Sequence, residues 1–384
     1  MTLRLRPALA CTLAVALTAV AACSSTSGEE VSLKVAFLQD LSVPDHVDLV
    51  SPSFLAFDMV VQRRLEARGV SVDVVQFDTR GDASTAIEIA GQVAGDPSFV
   101  LAVAAPFWHE PTEVAHILAE AGVPTISLSP VSGSPWVSPT PPPGLATELW
   151  RRFVPDRIAE ASLLADLADL RSPAGTPQPV CLVDDGSRYG RGLAGQVERE
   201  IGGSSTSIDG SEPVTAADAV AAARCPVVVW SGFPPGARDL ARAMRAAGSS
   251  RGRPVDLAGD ALKTAIPPTS PAGDGPVVGS VACSCVDVST GLELHSRRFV
   301  HAYQSEHGLT PGVFAAEAWD AGRVVADWMA ADATDRATMR VAFSTLITYD
   351  GVARAYVFDG EGELVGETAR LFAASGTRWL PLPS

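Results

Sequence analysis

The feature that most constrains this chain is a regular alternation of short β-rich runs with helical stripes. Leu33–Leu38 reads as a strand. Ser53 to Arg68 carries apolar residues at Phe54, Phe57, Val61 and Leu65, a helical spacing that stops at Gly69. Val70–Phe77 is β-rich, Ser84–Ala94 helical, Phe99–Ala104 a strand of buried type, Pro111–Ala121 a helix ending at Gly122, and Pro124–Leu128 the next strand. Strands and helices of these lengths in strict alternation predict a parallel sheet covered on both faces.

A proline-rich run from Ser132 to Gly144 interrupts the pattern and reads as a surface loop or crossover. The alternation then resumes, with strands at Val180–Val183, Ser205–Ile208, Val227–Trp230, Val255–Ala258 and Val277–Ala282. Helices at Gly192–Ile201, Ala216–Ala223 and Gly236–Ala247 lie between them. Helices at Leu292–Glu306, Phe314–Ala331 and Arg336–Leu346 follow, and Val352–Phe358 with Asp359-Gly360-Glu361-Gly362 reads as a β-hairpin. With 384 residues the chain is too long for one ordinary core. The expectation is an α/β fold of two doubly wound parallel-sheet lobes, with the chain crossing between them three times. The expected extents are 31–148 plus 287–350 for the first lobe and 149–286 plus 351–384 for the second. Ligands sit outside the carboxyl ends of parallel strands, so two facing lobes create a cleft that can close on a small molecule.

The N-terminus carries an address. Arg4 and Arg6 precede an uncharged, mostly apolar run from Pro7 to Ala22, and Val20-Ala21-Ala22-Cys23 leads into Ser24-Ser25-Thr26-Ser27-Gly28-Glu29-Glu30. A basic end, a short apolar stretch and small residues before a cut describe an export signal. With cysteine at the cut it resembles a bacterial lipoprotein signal. That likeness implies removal of residues 1–22, diacylation of Cys23, and a tether over 23–30 holding the protein at the outer face of the cell membrane. The apolar run is short for a bilayer span, and an ordinary cleaved secretory signal is the nearer alternative. No later apolar run approaches a membrane span.

Net charge is −15, and losing Arg4 and Arg6 makes it more negative. An acidic surface argues against nucleic acid and against charge-driven binding to anionic lipid. Four cysteines remain in the mature chain: Cys181, Cys225, Cys283 and Cys285. In an oxidising compartment they allow two disulfides in three pairings. Cys283 and Cys285 stand only two residues apart, and their pairing with each other is not the expectation. Cys181 and Cys225 are expected on neighbouring strands, a poor site for a bridge, so the pairing stays open. No CxxC motif or nearby histidine supports zinc.

Landmarks along the chain resemble a known family. Asp78-Thr79-Arg80-Gly81-Asp82 precedes an alanine-rich helix, and Glu120-Ala121-Gly122-Val123-Pro124-Thr125-Ile126-Ser127 follows the next. Asp184-Asp185-Gly186-Ser187-Arg188-Tyr189-Gly190-Arg191-Gly192, Gly259-Asp260 and Ala316-Glu317-Ala318-Trp319-Asp320-Ala321 complete the series. In this order they resemble the type I periplasmic binding proteins, the branched-chain amino-acid receptors of ABC transporters. The resemblance implies a non-enzymatic receptor without cofactor. It would capture a small amino-acid-like or amine-bearing ligand between hinged lobes and deliver it to an ABC permease. A sensor or accessory lipoprotein on the same scaffold is the alternative. The implied ligand-binding positions are Trp108 and His109 after the third strand, Pro130 and Ser132 after the fourth, and Tyr189, Phe233 and Asp260 in the second lobe. Asp260 falls where an acid meets the ligand ammonium. The family's serine-rich first loop is here Phe107-Trp108-His109, which suits a flatter or aromatic ligand.

Other motifs have plainer readings. Gly190-Arg191-Gly192-Leu193-Ala194-Gly195 fits G-x-G-x-x-G, but five residues separate it from the strand where a dinucleotide fingerprint wants a tight turn. Gly248-Ser249-Ser250-Arg251-Gly252 follows a helix, whereas a hydrolase elbow follows a strand. Arg80-Gly81-Asp82 reads as a helix start. Asp184-Asp185 suggests paired carboxylates, and orienting the cleft turn is the plainer role. Trp319 and Trp328 read as core.

Overall fold

The computed structural model describes residues 33–43, 47–106, 112–129, 149–172, 179–248, 254–263, 278–285, 294–366, 369–375 and 378–382. Ten strands form two parallel arrays. The first holds β1 (Leu33–Gln39), β2 (Val72–Asp78), β3 (Phe99–Ala104), β4 (Thr125–Ser127) and β5 (Trp150–Arg152), in the order β2-β1-β3-β4-β5, all parallel. The second holds β6 (Val180–Asp184), β7 (Ser205–Asp209), β8 (Val228–Ser231), β9 (Val255–Ala258) and β10 (Val278–Cys283), in the order β10-β9-β8-β6-β7. Both arrays therefore reverse strand order at the same place, beside β1 and beside β6.

Burial follows from strand position. In β1, Val35 and Phe37 enter one cluster while Ala36 and Leu38 enter another, because alternate side chains leave on opposite faces. The first face packs under α1 (Val47–Glu66), α8 (Leu294–His307) and α9 (Ala315–Met329); the second packs under α2 (Ala83–Gly95) and α3 (Thr112–Glu120). Every residue of β3 is buried, as a central parallel strand requires. α1 lies against α9, and Gly322 permits the approach: a Cβ there would sit 2.9 Å from the Phe57 carbonyl oxygen. Trp319 and Trp328 pack against this core, as expected. α1 runs through Pro52, so it begins earlier than the expected start at Ser53. The second sheet is covered by α4 (Arg157–Arg171), α5 (Arg188–Glu200), α6 (Pro213–Ala223) and α7 (Pro234–Ala246) around one continuous cluster. Sequence reading did not identify β5 or α4.

Two more strands, β13 (Arg370–Ser375) and β14 (Arg378–Pro381), extend the second sheet antiparallel beyond β10. β11 (Thr348–Asp350) and β12 (Ala355–Val357) form a separate ribbon after α10 (Arg336–Ser344). β12 pairs upstream with β11, and across the following Asp359–Gly362 turn Phe358 bridges to Leu364, Val365 N–H donates to the Val357 carbonyl at 2.8 Å and Asp359 N–H to the Glu363 carbonyl at 2.9 Å. The ribbon residues Val352, Ala353, Tyr356 and Phe358 belong to the first core.

The chain leaves the first sheet after Arg152 and rejoins the second sheet at β13, with Leu364 still packed on the first core, where the expected changes were at 148/149 and 350/351. β5 stays with the first sheet because its register with β4 runs Thr125–Trp150 to Ser127–Arg152. The crossings are tied together. Arg152 N–H donates to the Gly362 carbonyl at 3.0 Å, and Arg152 pairs with Glu363. Arg354, paired with buried Glu317 at 3.0 Å, donates to the Ser284 carbonyl at 2.8 Å. Gly362 has φ +80°, and a Cβ there would collide with the Trp150 carbonyl oxygen.

The cysteines correct one expectation. Cys283 and Cys285 are disulfide-bonded, as are Cys181 and Cys225. Residues two apart on a strand share a face, so alternation sets no bar to the Cys283–Cys285 bridge, which forms where β10 ends at Cys283. Cys225 lies before β8, just after Arg224 closes α6 with φ 53°, so the bridge does not join two adjacent strand positions. No helix among the described residues is long and apolar enough to cross a membrane.

Candidate functional site

A cleft of about 640 Å3 opens at the carboxyl ends of the strands flanking both reversal points. From the first sheet come Asp40 and Val43 after β1, and Arg80, Gly81, Asp82 and Ala83 after β2. From the second come Asp185, Ser187 and Tyr189 after β6, Ser211 after β7, and Phe233 and Gly236 after β8.

Each wall is built from turns that hold one another. After β1, Asp40 Oδ1 accepts the Thr79 hydroxyl and, at 3.2 Å, the Gly81 N–H. Asp78 reciprocates from β2, accepting Leu41 N–H at 2.9 Å and Ser42 N–H at 3.2 Å. Asp82 caps α2 through Thr85 N–H at 2.7 Å, so the Arg80-Gly81-Asp82 tripeptide is a helix start. Arg80 and Gly81 take φ of 58° and 65° to make that turn. In the second wall Asp185 Oδ1 accepts Ser187 N–H at 3.0 Å, and its Oδ2 accepts Phe233 N–H at 2.7 Å. Asp185 thus orients the cleft turn, joining the β6 and β8 loops. Gly190 is needed beneath it, since a Cβ would collide with Asp185 Oδ1 and would crowd the Ser231 carbonyl. Gly192 likewise makes room for the Arg157 guanidinium, which a Cβ would meet at 2.5 Å. The first two glycines of the G-x-G-x-x-G pattern are explained by packing.

Tyr189 and Phe233 line the cleft side by side, ring centroids 5.3 Å apart. The Tyr189 hydroxyl donates to Asp260 Oδ1 at 2.6 Å, and the Arg157 guanidinium lies 5.4 Å from its ring centroid. Asp260 is fully buried, opens a short 3-10 turn after β9, and donates its own N–H to Glu160 Oε1 at 2.6 Å. Gly259 permits this closeness: a Cβ would stand 2.6 Å from the Tyr189 hydroxyl and 2.7 Å from Glu160 Oε1. Burial pushes the Asp260 carboxyl up to about 6, against the Tyr189 hydrogen bond and Arg157. Burial, reinforced by Asp260, raises the Glu160 carboxyl as well. The two acids favour holding a proton between them.

Of the residues expected at the site, Tyr189 and Phe233 are on the cleft wall. Asp260 is behind that wall with Tyr189 on its Oδ1, and is not among the lining residues. Trp108, His109, Pro130 and Ser132, like Cys23, lie outside the described residues. Sequence reasoning missed Asp40, although its place directly after the first strand was the available signal. It also missed Glu160 and Arg157, which sit on the unrecognised α4. Among the described residues no group of three or more His, Cys, Asp or Glu side chains could hold a metal ion.

A family model described as periplasmic binding protein matches residues 32–377. The chain belongs to that family. Its fold is the type I form. The branched-chain amino acid transporter binding protein LivJ of Streptococcus pneumoniae, solved with isoleucine, aligns with a TM-score of 0.71 at 15% identity. That alignment covers 91% of this chain and 97% of LivJ. A Desulfitobacterium hafniense ABC transporter substrate-binding protein, solved with Leu, gives 0.65 at 19% identity over 91% of this chain and 99% of its own. A solute binding protein from R. palustris, solved with benzoate, gives 0.69 at 16% over 91% and 95%. A search of curated protein sequences finds no significant match.

Proposed function

We propose that this chain is an extracytoplasmic, lipid-anchored receptor that captures a small amino-acid-like or amine-bearing solute between its two sheets and delivers it to an ABC permease. The observation that carries this reading is the cleft itself. Its walls come from the two strand-reversal points, one wall offering an aromatic pair, Tyr189 and Phe233, and the other a buried acid, Asp40. Such a cleft can bury most of a small molecule's surface. Closure would use the crossings after Arg152, Ser284 and Phe358 as hinges, with the ligand favouring the closed state by its differential affinity. Relatives of this fold hold leucine, isoleucine and benzoate, so the fold accommodates both zwitterions and a flat acid. The Val20-Ala21-Ala22-Cys23 sequence supports the anchor, and the side chains implied at Trp108, His109, Pro130 and Ser132 would complete the first wall.

Thermal unfolding of the full chain against amino acids, polyamines, aromatic amines and aromatic acids tests the receptor role. A ligand at about 100 times its Kd should add about 2.7 kcal/mol of stability. A shift confined to one chemical class supports the reading, and no shift with any class counts against it. Mass spectrometry of the membrane fraction tests the anchor, which requires a diacylglyceryl-modified N-terminal Cys23 that Cys23→Ala removes.

A further inference from the structure

The two walls repeat one architecture, and the repeat exposes a difference. Asp40 directly follows β1, and Asp185 directly follows β6, the corresponding strand of the second sheet. Each accepts hydrogen bonds from neighbouring turns. Asp185 spends both oxygens this way, Oδ1 on Ser187 and Oδ2 on Phe233 N–H. Asp40 receives Thr79 and Gly81 on Oδ1 alone. It is only 5% exposed, lines the cleft, and pairs with no Arg, Lys or His among the described residues. The other lining acids differ: Asp82 is exposed and caps α2, and Asp239 pairs with Arg242. A carboxylate held largely out of water without a cationic partner is costly unless something in the cleft supplies one. Burial indeed raises its carboxyl above the usual range, against the two hydrogen bonds.

Asp260, the acid expected to meet an ammonium from the second wall, is sealed behind Tyr189. Resting on the receptor reading, we propose that Asp40 Oδ2 receives the cationic group and that the ligand is an organic ammonium compound. Its apolar body lies against Tyr189 and Phe233. The acid is thus supplied by the first sheet and the aromatic platform by the second, so a ligand with both features contacts both walls and holds them together. An ammonium near aromatic faces gains further from their quadrupoles.

The test is calorimetric titration of the full chain with phenethylamine and with 3-phenylpropionate, which share a ring and spacer but carry opposite charges. Phenethylamine should bind at least tenfold tighter, and Asp40→Asn should abolish that preference. Asparagine keeps an oxygen for Thr79 and Gly81, so the variant is expected to fold, which its circular dichroism checks. The charge preference of the unaltered chain is a reading that needs no variant. Equal binding of the two probes, or a preference that survives Asp40→Asn, overturns the assignment. Leucine and benzoate titrated in parallel separate the two levels. If either binds while phenethylamine does not, the receptor reading stands and the role of Asp40 fails. If no probe binds, both fall.

Discussion

Asp260 and Asp320 show how differently two buried carboxylates can be used. Asp320, on α9, accepts Val352 N–H at 2.7 Å, Ala353 N–H at 2.8 Å and the Tyr356 hydroxyl at 3.1 Å, and so pins the turn leading into β12. Burial nevertheless pushes its carboxyl up to about 7, with Glu317 adding to the rise. A carboxyl raised in the folded state contributes stability that is complete below its unfolded value and lost as pH climbs through the folded one. The unfolding free energy attributable to Asp320 should therefore fall between about pH 4 and pH 7, by at most roughly 4 kcal/mol. Urea titrations across that range should show the slope, and Asp320→Asn should flatten it. The same variant should lose about 1–3 kcal/mol at pH 4, because one of the two N–H groups loses its acceptor. In the second sheet, Tyr189→Phe keeps the ring against Phe233 but removes the hydroxyl from Asp260. A loss of about 1–3 kcal/mol is expected in chemical unfolding, as Asp260 is left buried without that donor.

At the scale of elements, α5 separates glycines that matter from one that does not. Gly190 and Gly192 sit where a Cβ would meet Asp185, the Ser231 backbone and Arg157, whereas at Gly195 the nearest atom is Arg199 Nη1 at 3.9 Å. Gly195→Ala should stabilise the protein by about 0.5–1 kcal/mol through helix propensity. Gly190→Ala should destabilise it and disturb the cleft turn. Paired thermal melts decide, and similar shifts for both would contradict the packing account. The disulfides belong to this scale too. Cys181–Cys225 closes a separation of 44 residues and Cys283–Cys285 one of 2. Chain entropy then assigns the first bridge roughly 4 kcal/mol and makes it the one whose Ser substitution lowers the unfolding midpoint. Thiol counting of the denatured, unreduced protein should find none of these four cysteines free. The spacing of these cysteines was legible in the sequence, but their pairing was not. Where β10 ends and where α6 turns into β8 are settled by packing against the rest of the sheet.

The whole molecule joins two sheets through three crossings tied at Arg152, Ser284 and Arg354. Arg354→Ala removes a cationic partner of fully buried Glu317 and the link to Ser284 together, and should cost about 3–5 kcal/mol. If the crossings are hinges, small-angle scattering should show the radius of gyration falling when a binding solute is added. A radius that stays constant on saturation would count against closure.

Much of this was legible in the chain. β3 and β9 fall where their apolar runs end, and α2, α6 and α7 within a few residues of their stripes, because local periodicity and burial agree there. The family landmarks have visible causes: Gly259 admits Tyr189 and Glu160, Asp185 ties two turns, and Asp320 pins the ribbon. The sequence alone thus determined the α/β alternation, the duplication and the family, which rest on local pattern and short motifs. Tertiary structure decided what depends on partners distant in sequence. β5 is only three residues long and exists because β4 lies beside it. The ribbon chose β11 because Asp320 holds the turn between them. Asp260 turned from cleft to core because Tyr189 and Glu160, 71 and 100 residues away, meet it there. Asp40 lines the cleft with Oδ1 held by Thr79 and Gly81, a matter of three-dimensional geometry that no spacing in the chain encodes.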